Sequence, residues 1–262
     1  MPLYNSIGGN YNKTRRADER IVEVITRLLN LPENAVIADI GAGSGNYTSA
    51  ISARGYQVRA VEPSEAMRRQ AVPSPQIEWF PGVAEQIPLA DASVDGVIAT
   101  MAIHHFSDLS KAFAEMIRVA PNGPIILFTF DPRTVEKTWW IADYFPTIWY
   151  DAFRAFPPIR ELAGMLEEAA GRMVDVVPFL LPHDLTDNFT AAGWRTPERY
   201  LDASYRDNMS SFRITDQDII AVELARLAQD LADGTWQRKY GHTLLWDEID
   251  AGYCFLKVRP SV

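Results

Sequence analysis

The sequence predicts an α/β fold in which helices cover both faces of a parallel sheet. The first half of the chain alternates short apolar runs with amphipathic stretches, as in strands connected by crossover helices. The chain also has 262 residues, of which 47% are hydrophobic and 23% are charged. Such a balance is typical of a globular protein that buries a large core. We therefore expect one domain over residues 1–262.

The predicted elements follow one another regularly as far as residue 130. Strands are predicted on the apolar runs at residues 35–40, 57–62, 77–80, 94–100 and 124–130. Helices are predicted on the amphipathic stretches at about residues 16–29, 45–53, 64–71 and 108–119. Beyond them we expect a helix, a strand, an irregular stretch, a long helix and a last strand at about residues 159–170, 173–180, 183–214, 216–231 and 251–258.

The segment at residues 139–156 is unusually aromatic. It contains eight aromatic side chains, whereas aromatic residues make up 11% of the whole chain. One interpretation is a helix face that packs on the sheet. The other, which the number of rings favours, is a lid or wall of a substrate pocket. The residues that we expect to contact a substrate here are Trp139, Trp140, Tyr144 and Trp149.

Charge and cysteine content argue against several functional classes. The chain carries 25 basic and 34 acidic residues, a net charge of −9, whereas a protein that binds a phosphate backbone needs a basic surface. Neither nucleic acid nor an acidic membrane surface is therefore an expected partner. Cys254 is the single cysteine, which excludes an internal disulfide and a cysteine-rich metal site. The sequence shows no signal-peptide core or membrane span, so we expect a cytoplasmic protein without a metal.

A glycine-rich turn follows the first predicted strand. Asp39, Gly41, Gly43 and Gly45 lie where this strand meets a helix, and glycines let backbone amides approach a ligand. Asp39 would repel a diphosphate and attract an ammonium group, while Glu62 at the end of the second strand can accept both hydroxyls of a ribose. A cationic nucleoside that carries an amino acid fits this pattern better than NAD. S-adenosylmethionine is such a molecule.

Five motifs extend this pattern along the chain. They are VIADIGAGSG at residues 36–45, VEPS at 61–64, GVAEQIP at 82–88, DASVDGV at 91–97 and MAIHHF at 101–106. In order and spacing they resemble the class I S-adenosylmethionine-dependent methyltransferases. The resemblance implies a Rossmann-like, doubly wound sheet of seven strands, mostly parallel with an antiparallel last strand. The donor would then bind to the half at about residues 1–130, and the aromatic lid and the acceptor side would lie at about residues 131–262.

The resemblance also implies which residues contact the donor. They are Tyr11, Asp39, Gly41, Ala42, Gly43, Glu62, Pro63, Ala84, Glu85 and Thr100. Asp39 and the glycines would surround the methionine moiety, Glu62 would bind the ribose, and Ala84 and Glu85 would lie beside the adenine. Many relatives have an acidic residue at the position of Val83, so backbone amides or Glu85 would have to hold the adenine here.

Three histidines are candidates for the acceptor side. His104 and His105 follow the fourth strand at the rim of the sheet, and a histidine there could deprotonate an acceptor. The alternative is that one packs under the following helix and the other caps a backbone carbonyl. We take His105 and His183 as candidate bases and His104 as a candidate substrate contact. For His183 a structural corner is the alternative.

The expected activity is methyl transfer from S-adenosylmethionine to a small organic molecule, with S-adenosylhomocysteine as the product. Two alternatives stay open: a relative that binds the nucleoside without transferring methyl, and an NAD-dependent oxidoreductase. Tyr253 and Lys257 have the spacing of the Tyr-Lys pair of short-chain dehydrogenases. That pair must share a helix face, but this segment is predicted to be a strand, in which the two residues are roughly 13 Å apart.

Overall fold

A computed structural model describes residues 15–134, 139–207 and 209–261 of the chain. In the first half, strands β1 to β5 are Val36–Ile40, Gln57–Val61, Ile77–Phe80, Gly96–Thr100 and Ile125–Phe130. Helices α1 to α4 are Glu19–Leu29, Asn46–Ser52, Glu65–Arg68 and Leu109–Val119. Each strand and helix predicted before residue 130 is present, with its ends within a few residues of the expected ones.

The second half contains more elements than the sequence predicts. Helices α5 to α7 are Trp140–Tyr144, Pro146–Ala155 and Ile159–Ala170, and helices α8 to α11 are Ala203–Arg206, Ser210–Ile214, Gln217–Ala232 and Thr235–Tyr240. Strands β6 to β9 are Val174–Pro178, Leu181–Pro182, Glu248–Ile249 and Tyr253–Val258. The stretch at residues 183–214, expected to be irregular, includes α8, α9 and a 3₁₀ turn at Pro197–Leu201. These pieces are too short to produce a periodic pattern.

Seven strands form one sheet in the order β3-β2-β1-β4-β5-β9-β6. The pairs from β3 to β5 are parallel, whereas β9 is antiparallel to both β5 and β6. This confirms the prediction of a mostly parallel, seven-stranded sheet with an antiparallel last strand. The strand order reverses between β1 and β4, and open α/β sheets bind their ligands beyond the carboxyl ends of the strands at such a point.

Buried side chains cover both faces of the sheet. On one face α1 packs through Ile21 and Ile25. On the other face α4 packs through Phe113 and Met116, and α7 through Leu166. Because these apolar positions recur three or four residues apart, each helix has one apolar stripe and leaves its polar face in water.

The elements after β5 extend the core of the first face rather than forming a separate one. Trp140 of α5 packs edge-on against Tyr200 and Trp236, and its indole N–H donates to the carbonyl oxygen of Trp194 at 2.7 Å. These rings belong to the same buried cluster as Ile21 of α1. In the part of the chain that the structure describes, no helix is long and apolar enough to cross a bilayer.

Candidate functional site

A cavity of about 470 Å³ opens where the strand order reverses. Its wall is built from the loops that follow four parallel strands, β1 to β4, at residues 41–44, 62–63, 82–85 and 100–102. Since the carboxyl ends of parallel strands lie on one edge of the sheet, residues distant in sequence meet here. The volume is within the range of pockets that bind cofactors and small molecules.

The turn after β1 requires glycine for two reasons. Gly41 and Gly45 have φ angles of +73° and +83°, which side chains rarely adopt. A Cβ atom on Gly41 would also lie 2.7 Å from the Cβ atom of Ala102, and one on Gly45 would lie 2.8 Å from the ring of Trp79. The turn therefore presents backbone rather than side chains to the cavity, which Gly41, Ala42 and Gly43 line.

Asp39 is buried beside this turn and is not among the residues that line the cavity. Its carboxylate accepts a hydrogen bond of 2.6 Å from the hydroxyl of Thr48. Burial, with a smaller contribution from the charge of Glu62, raises the pKa of Asp39 to about 7, although the bond from Thr48 opposes the rise. A positive charge near the turn would therefore favour the ionised form of this carboxyl.

Glu62 lies at the end of β2 and lines the cavity. Its two carboxylate oxygens accept hydrogen bonds from the backbone N–H of Gly43 at 3.0 Å and of Ser64 at 2.7 Å. Burial raises the pKa of Glu62, although these two bonds oppose the rise. The side chain thus fixes the glycine turn against the start of α3 while its carboxylate faces the cavity.

Pro63, Ala84 and Glu85 line the same cavity. One carboxylate oxygen of Glu85 accepts hydrogen bonds from the hydroxyl of Ser107 at 2.8 Å and from the backbone N–H of Asp108 at 3.1 Å. Burial would raise the pKa of Glu85, but these bonds outweigh it and lower the pKa. The carboxylate therefore connects the loop after β3 to the start of α4. Val83 lies next to it and is exposed.

The loop after β4 combines an unpaired hydroxyl with a strained residue. Thr100 lines the cavity, and its buried hydroxyl has no hydrogen-bond partner among the described residues. Met101 has a positive φ of 51°, and its N–H donates to the carbonyl oxygen of Phe128 at 2.8 Å. Backbone strain of this kind persists where the surrounding structure fixes it, often at functional sites.

A second cavity, of about 240 Å³, adjoins the first. Arg15, Met101 and His105 line both cavities and form the shared wall. Side chains of α6, α9, β9 and the loop after β7 contribute most of the remaining wall. A molecule in the larger cavity and a molecule in the smaller one would therefore meet at these three residues.

His104 and His105 form part of a 3₁₀ turn, Ile103–His105, with their ring centres 3.8 Å apart. His105 is exposed toward the cavities, but the protein around its ring removes enough water to lower its pKa to about 4. Burial also lowers the pKa of His104, and the charges of His105 and Arg15 lower it further. Both imidazoles are therefore neutral at physiological pH.

Arg15 and Asp187 are site residues that the sequence did not reveal. The guanidinium of Arg15 pairs with the buried carboxylate of Asp187 through two nitrogen atoms, and the hydroxyl of Tyr47 donates to the same carboxylate at 3.1 Å. All three residues line the larger cavity. Because 172 residues separate the two charges, no local pattern could have connected them.

Several predicted substrate contacts lie elsewhere. Among the predicted aromatic residues, Trp149 lines the smaller cavity, as does His104, but Trp139, Trp140 and Tyr144 line neither cavity. Trp140 and Tyr144 are buried in the cluster that joins α5 to the C-terminal helices, because α5 turns one apolar face to those helices. For these two residues the structure supports the packing interpretation and not the substrate contact.

The predicted base His183 is not brought to these cavities either. His183 is exposed beside the two-stranded β7-β8 ladder, where its ring nitrogen Nδ1 lies 3.1 Å from the carbonyl oxygen of Asp247. It lines neither cavity, so the structure supports its alternative role as a corner and not as a base. Tyr11 lies outside the described residues. Among the described residues, no group of three His, Cys, Asp or Glu side chains could hold a metal ion.

Comparisons with known proteins identify the family. A family model described as a methyltransferase domain matches residues 38–128, the region that supplies nearly all of the larger cavity. A solved structure of a putative methyltransferase from an antibiotic biosynthesis pathway of Anabaena variabilis has 52% sequence identity and a TM-score of 0.91. Its alignment covers 94% of this chain and 99% of that one.

Curated relatives are more distant. The ubiquinone/menaquinone biosynthesis C-methyltransferase of Rubrivivax gelatinosus is 31% identical over 51% of this chain, and the aligned part spans 61% of that relative's length. The malonyl-[acyl-carrier protein] O-methyltransferase of a Methylovorus species is 28% identical over 91% of this chain and 74% of its own length. On the sheet order, the glycine turn and these similarities, the chain belongs to the class I S-adenosylmethionine-dependent methyltransferases.

Proposed function

We propose that this chain transfers a methyl group from S-adenosylmethionine in the larger cavity to a small organic molecule in the smaller one. The observation that carries the proposal is the wall that the two cavities share, formed by Arg15, Met101 and His105. Donor and acceptor in adjoining cavities would have their reacting atoms near the same three residues. Proximity of this kind can supply several kcal/mol of the barrier.

The charges around the larger cavity suit a cationic nucleoside. Glu62 brings a buried carboxylate to its wall, and Asp39 adds a second beside the glycine turn. We infer that Glu62 holds the ribose and that Ala84 and Glu85 border the adenine. The other donor contacts in this proposal are Gly41, Ala42, Gly43, Pro63 and the carbonyl oxygen of Thr100.

The chain's own task in such a reaction is positioning. S-adenosylmethionine supplies a methyl group that is already activated on a sulfonium. The apolar wall of the smaller cavity excludes water and orients the acceptor. His105 lies in the shared wall as a neutral imidazole, so it can accept a hydrogen bond, and then a proton, from the acceptor.

The names of the relatives support a small acceptor. The Rubrivivax relative is named for quinone biosynthesis and the Methylovorus relative for a malonyl group on acyl-carrier protein. The Anabaena protein is assigned to an antibiotic biosynthesis pathway. The net charge of −9 also favours a small molecule over nucleic acid, which would require a basic surface. Inside the smaller cavity there is room for a compact molecule only.

Calorimetric titration tests the donor site through Glu62→Gln, with Glu65→Gln as the matched control. Glu65 is exposed on α3, three residues along the chain. Because a hydrogen bond to a charged group contributes about 1.5–3 kcal/mol, we expect Glu62→Gln to weaken S-adenosylmethionine binding by roughly tenfold to a hundredfold. The control should bind as the unchanged protein does. Tight binding of NAD without binding of S-adenosylmethionine would contradict the proposal.

Transfer itself is tested with methyl-labelled S-adenosylmethionine and a metabolite extract, followed by mass spectrometry of the labelled products. We expect a labelled small molecule and an equal amount of S-adenosylhomocysteine. Donor binding without any labelled product would instead support a non-catalytic binding protein. His105→Gln should lower kcat by about 10²-fold or more if this residue accepts the proton, and should leave donor affinity unchanged.

A further inference from the structure

The dimensions of the smaller cavity limit the class of acceptor, an inference that rests on the proposed methyl transfer. The cavity has a volume of about 240 Å³, and an apolar cavity of about 150 Å³ is known to hold benzene. One substituted ring, or two fused rings, therefore fills the space. A long acyl or prenyl chain does not fit inside it.

The walls of this cavity are made largely of aromatic rings. The ring of Phe130 meets Trp149 edge-on at 5.7 Å and Phe156 edge-on at 4.8 Å, while Tyr253 stacks on Phe130 at 4.9 Å and on Phe189 at 4.7 Å. All five residues line the cavity. Such rings attract a flat aromatic guest through edge-to-face and offset contacts.

Among the described residues of the wall, no buried charge is left as a partner for a charged guest. The guanidinium of Arg15 is paired with Asp187, and both histidines are neutral at physiological pH. Asp151 is exposed on α6 at the edge of the cavity. Because a charge that leaves water without a partner costs several kcal/mol, the part of the wall that the structure describes favours an uncharged acceptor.

The polar groups of this wall include a histidine and a pair of hydroxyls. His105 is at the junction with the larger cavity, where a reacting atom must be. The hydroxyls of Thr190 and Ser211 are 2.9 Å apart in another part of the wall. A phenol is uncharged at physiological pH because its pKa is about 10, so it can donate a hydrogen bond to the neutral imidazole of His105.

We propose that the acceptor is an uncharged aromatic hydroxyl compound of one ring or two fused rings, with its hydroxyl at the wall that the two cavities share. The aromatic rings hold the body of the molecule, and His105 orients the hydroxyl. The neutral form is selected because the paired Arg15 and Asp187 leave neither charge available to a guest.

The test measures binding of three probes that share a naphthalene ring system to the full chain saturated with S-adenosylhomocysteine. The probes are naphthol, naphthoate and protonated naphthylmethylamine. Calorimetry measures the affinity of each. We expect naphthol to bind at least tenfold more tightly than either charged probe. Equal or tighter binding of a charged probe, or no binding of any probe to protein that binds S-adenosylhomocysteine, would overturn the acceptor class and leave the proposed function standing. Failure to bind S-adenosylhomocysteine would overturn the proposed function instead.

A substitution that fills the smaller cavity tests whether naphthol binds there. Ala152 lines the smaller cavity and not the larger one, so Ala152→Phe should weaken naphthol binding at least tenfold and leave S-adenosylhomocysteine binding unchanged. Ala169→Phe, on an exposed position of α7, should change neither. If Ala152→Phe does not fold, Ala155→Phe at the exposed end of α6 fills the same cavity. Unchanged naphthol binding in the folded variant would contradict the proposal.

Discussion

Gly41 illustrates at the scale of one residue how the turn after β1 depends on the absence of a side chain. Its φ is +73°, and a Cβ atom would lie 2.7 Å from that of Ala102. Gly171 has a similar φ of +60° but no atom within 4 Å of its Cβ position. A substitution at Gly171 therefore measures the cost of the left-handed backbone conformation without a steric clash.

We therefore expect Gly41→Ala to destabilise the fold more than Gly171→Ala does. A left-handed conformation costs an alanine about 1–2 kcal/mol, and the clash at Gly41 adds about 1–3 kcal/mol. Urea denaturation measures both variants, and calorimetry should show weaker donor binding for Gly41→Ala alone. Equal destabilisation by the two substitutions would mean that Ala102 moves aside without cost.

The carboxyl of Asp39 predicts that donor binding depends on pH. Its pKa is raised to about 7 by burial, above the unfolded value of about 3.9. The protonated form therefore stabilises the ligand-free fold, and this stability is lost as the pH rises through about 7. A cationic donor prefers the ionised form. Below pH 7 the affinity of the protein for S-adenosylmethionine should consequently fall by up to about tenfold per pH unit.

Calorimetry of S-adenosylmethionine binding, one pH unit on either side of 7, measures this dependence. In Asp39→Asn the slope should disappear and the affinity should stay near its low-pH value. Asp218→Asn, at an exposed position of α10, serves as the control and should keep the slope. A slope that survives in Asp39→Asn would assign the dependence to another group.

At the scale of elements, the loop after β7 closes the larger cavity by binding two segments of the first half. Asp187 of this loop pairs with Arg15 and accepts from Tyr47 of α2. Asp18 accepts from both the backbone N–H of Thr186, at 2.8 Å, and its hydroxyl, at 3.1 Å. The N-cap of α1 is thus formed together with this loop.

Asp187→Asn should therefore weaken both the fold and the donor site. It removes the carboxylate charge that pairs with the partly buried guanidinium of Arg15, and removing one member of a buried pair typically costs about 3 kcal/mol or more. Asp184→Asn is the matched control, because Asp184 also pairs with an arginine, Arg20, but is exposed in the same loop, and such pairs contribute about 1 kcal/mol or less. Thermal unfolding and donor titration measure both. Similar losses in the two variants would contradict a special role for Asp187.

Comparison of elements shows what the sequence could and could not predict. The strands and helices as far as β5 were predictable because each has its own apolar period and its own turn, and the glycine turn with Glu62 identified the larger cavity. The smaller cavity was not predictable, since its wall combines Met101, Trp149 and Tyr253 from separate elements. Trp140 and Tyr144 are aromatic, as Trp149 is, but lie on the face of α5 that packs, and composition does not distinguish a packed ring from one in a cavity wall.

At the scale of the whole molecule, the buried cluster on the first face joins both halves of the chain. It includes Ile21 of α1, Phe128 of β5 and Trp236 of α11, so neither half has this core to itself. If residues 1–262 form one domain, as the sequence predicts, a ligand that binds to loops of the first half should stabilise the second half equally. Six of the seven tryptophans lie after residue 138, and their fluorescence reports on the second half.

We expect far-UV circular dichroism and tryptophan fluorescence to give coincident urea transitions. S-adenosylhomocysteine at a hundred times its Kd should raise the free energy of unfolding obtained from each transition by about 2.7 kcal/mol. The reason is that a ligand bound only to the folded state stabilises everything that unfolds together with its site. Asp39→Asn and Asp218→Asn should also unfold in one step. At the same ligand concentration, S-adenosylhomocysteine should stabilise Asp39→Asn less than Asp218→Asn if Asp39→Asn binds it more weakly. A fluorescence transition that the ligand leaves in place, beside a second transition in circular dichroism that it moves, would show that the elements after β5 fold independently of the donor half.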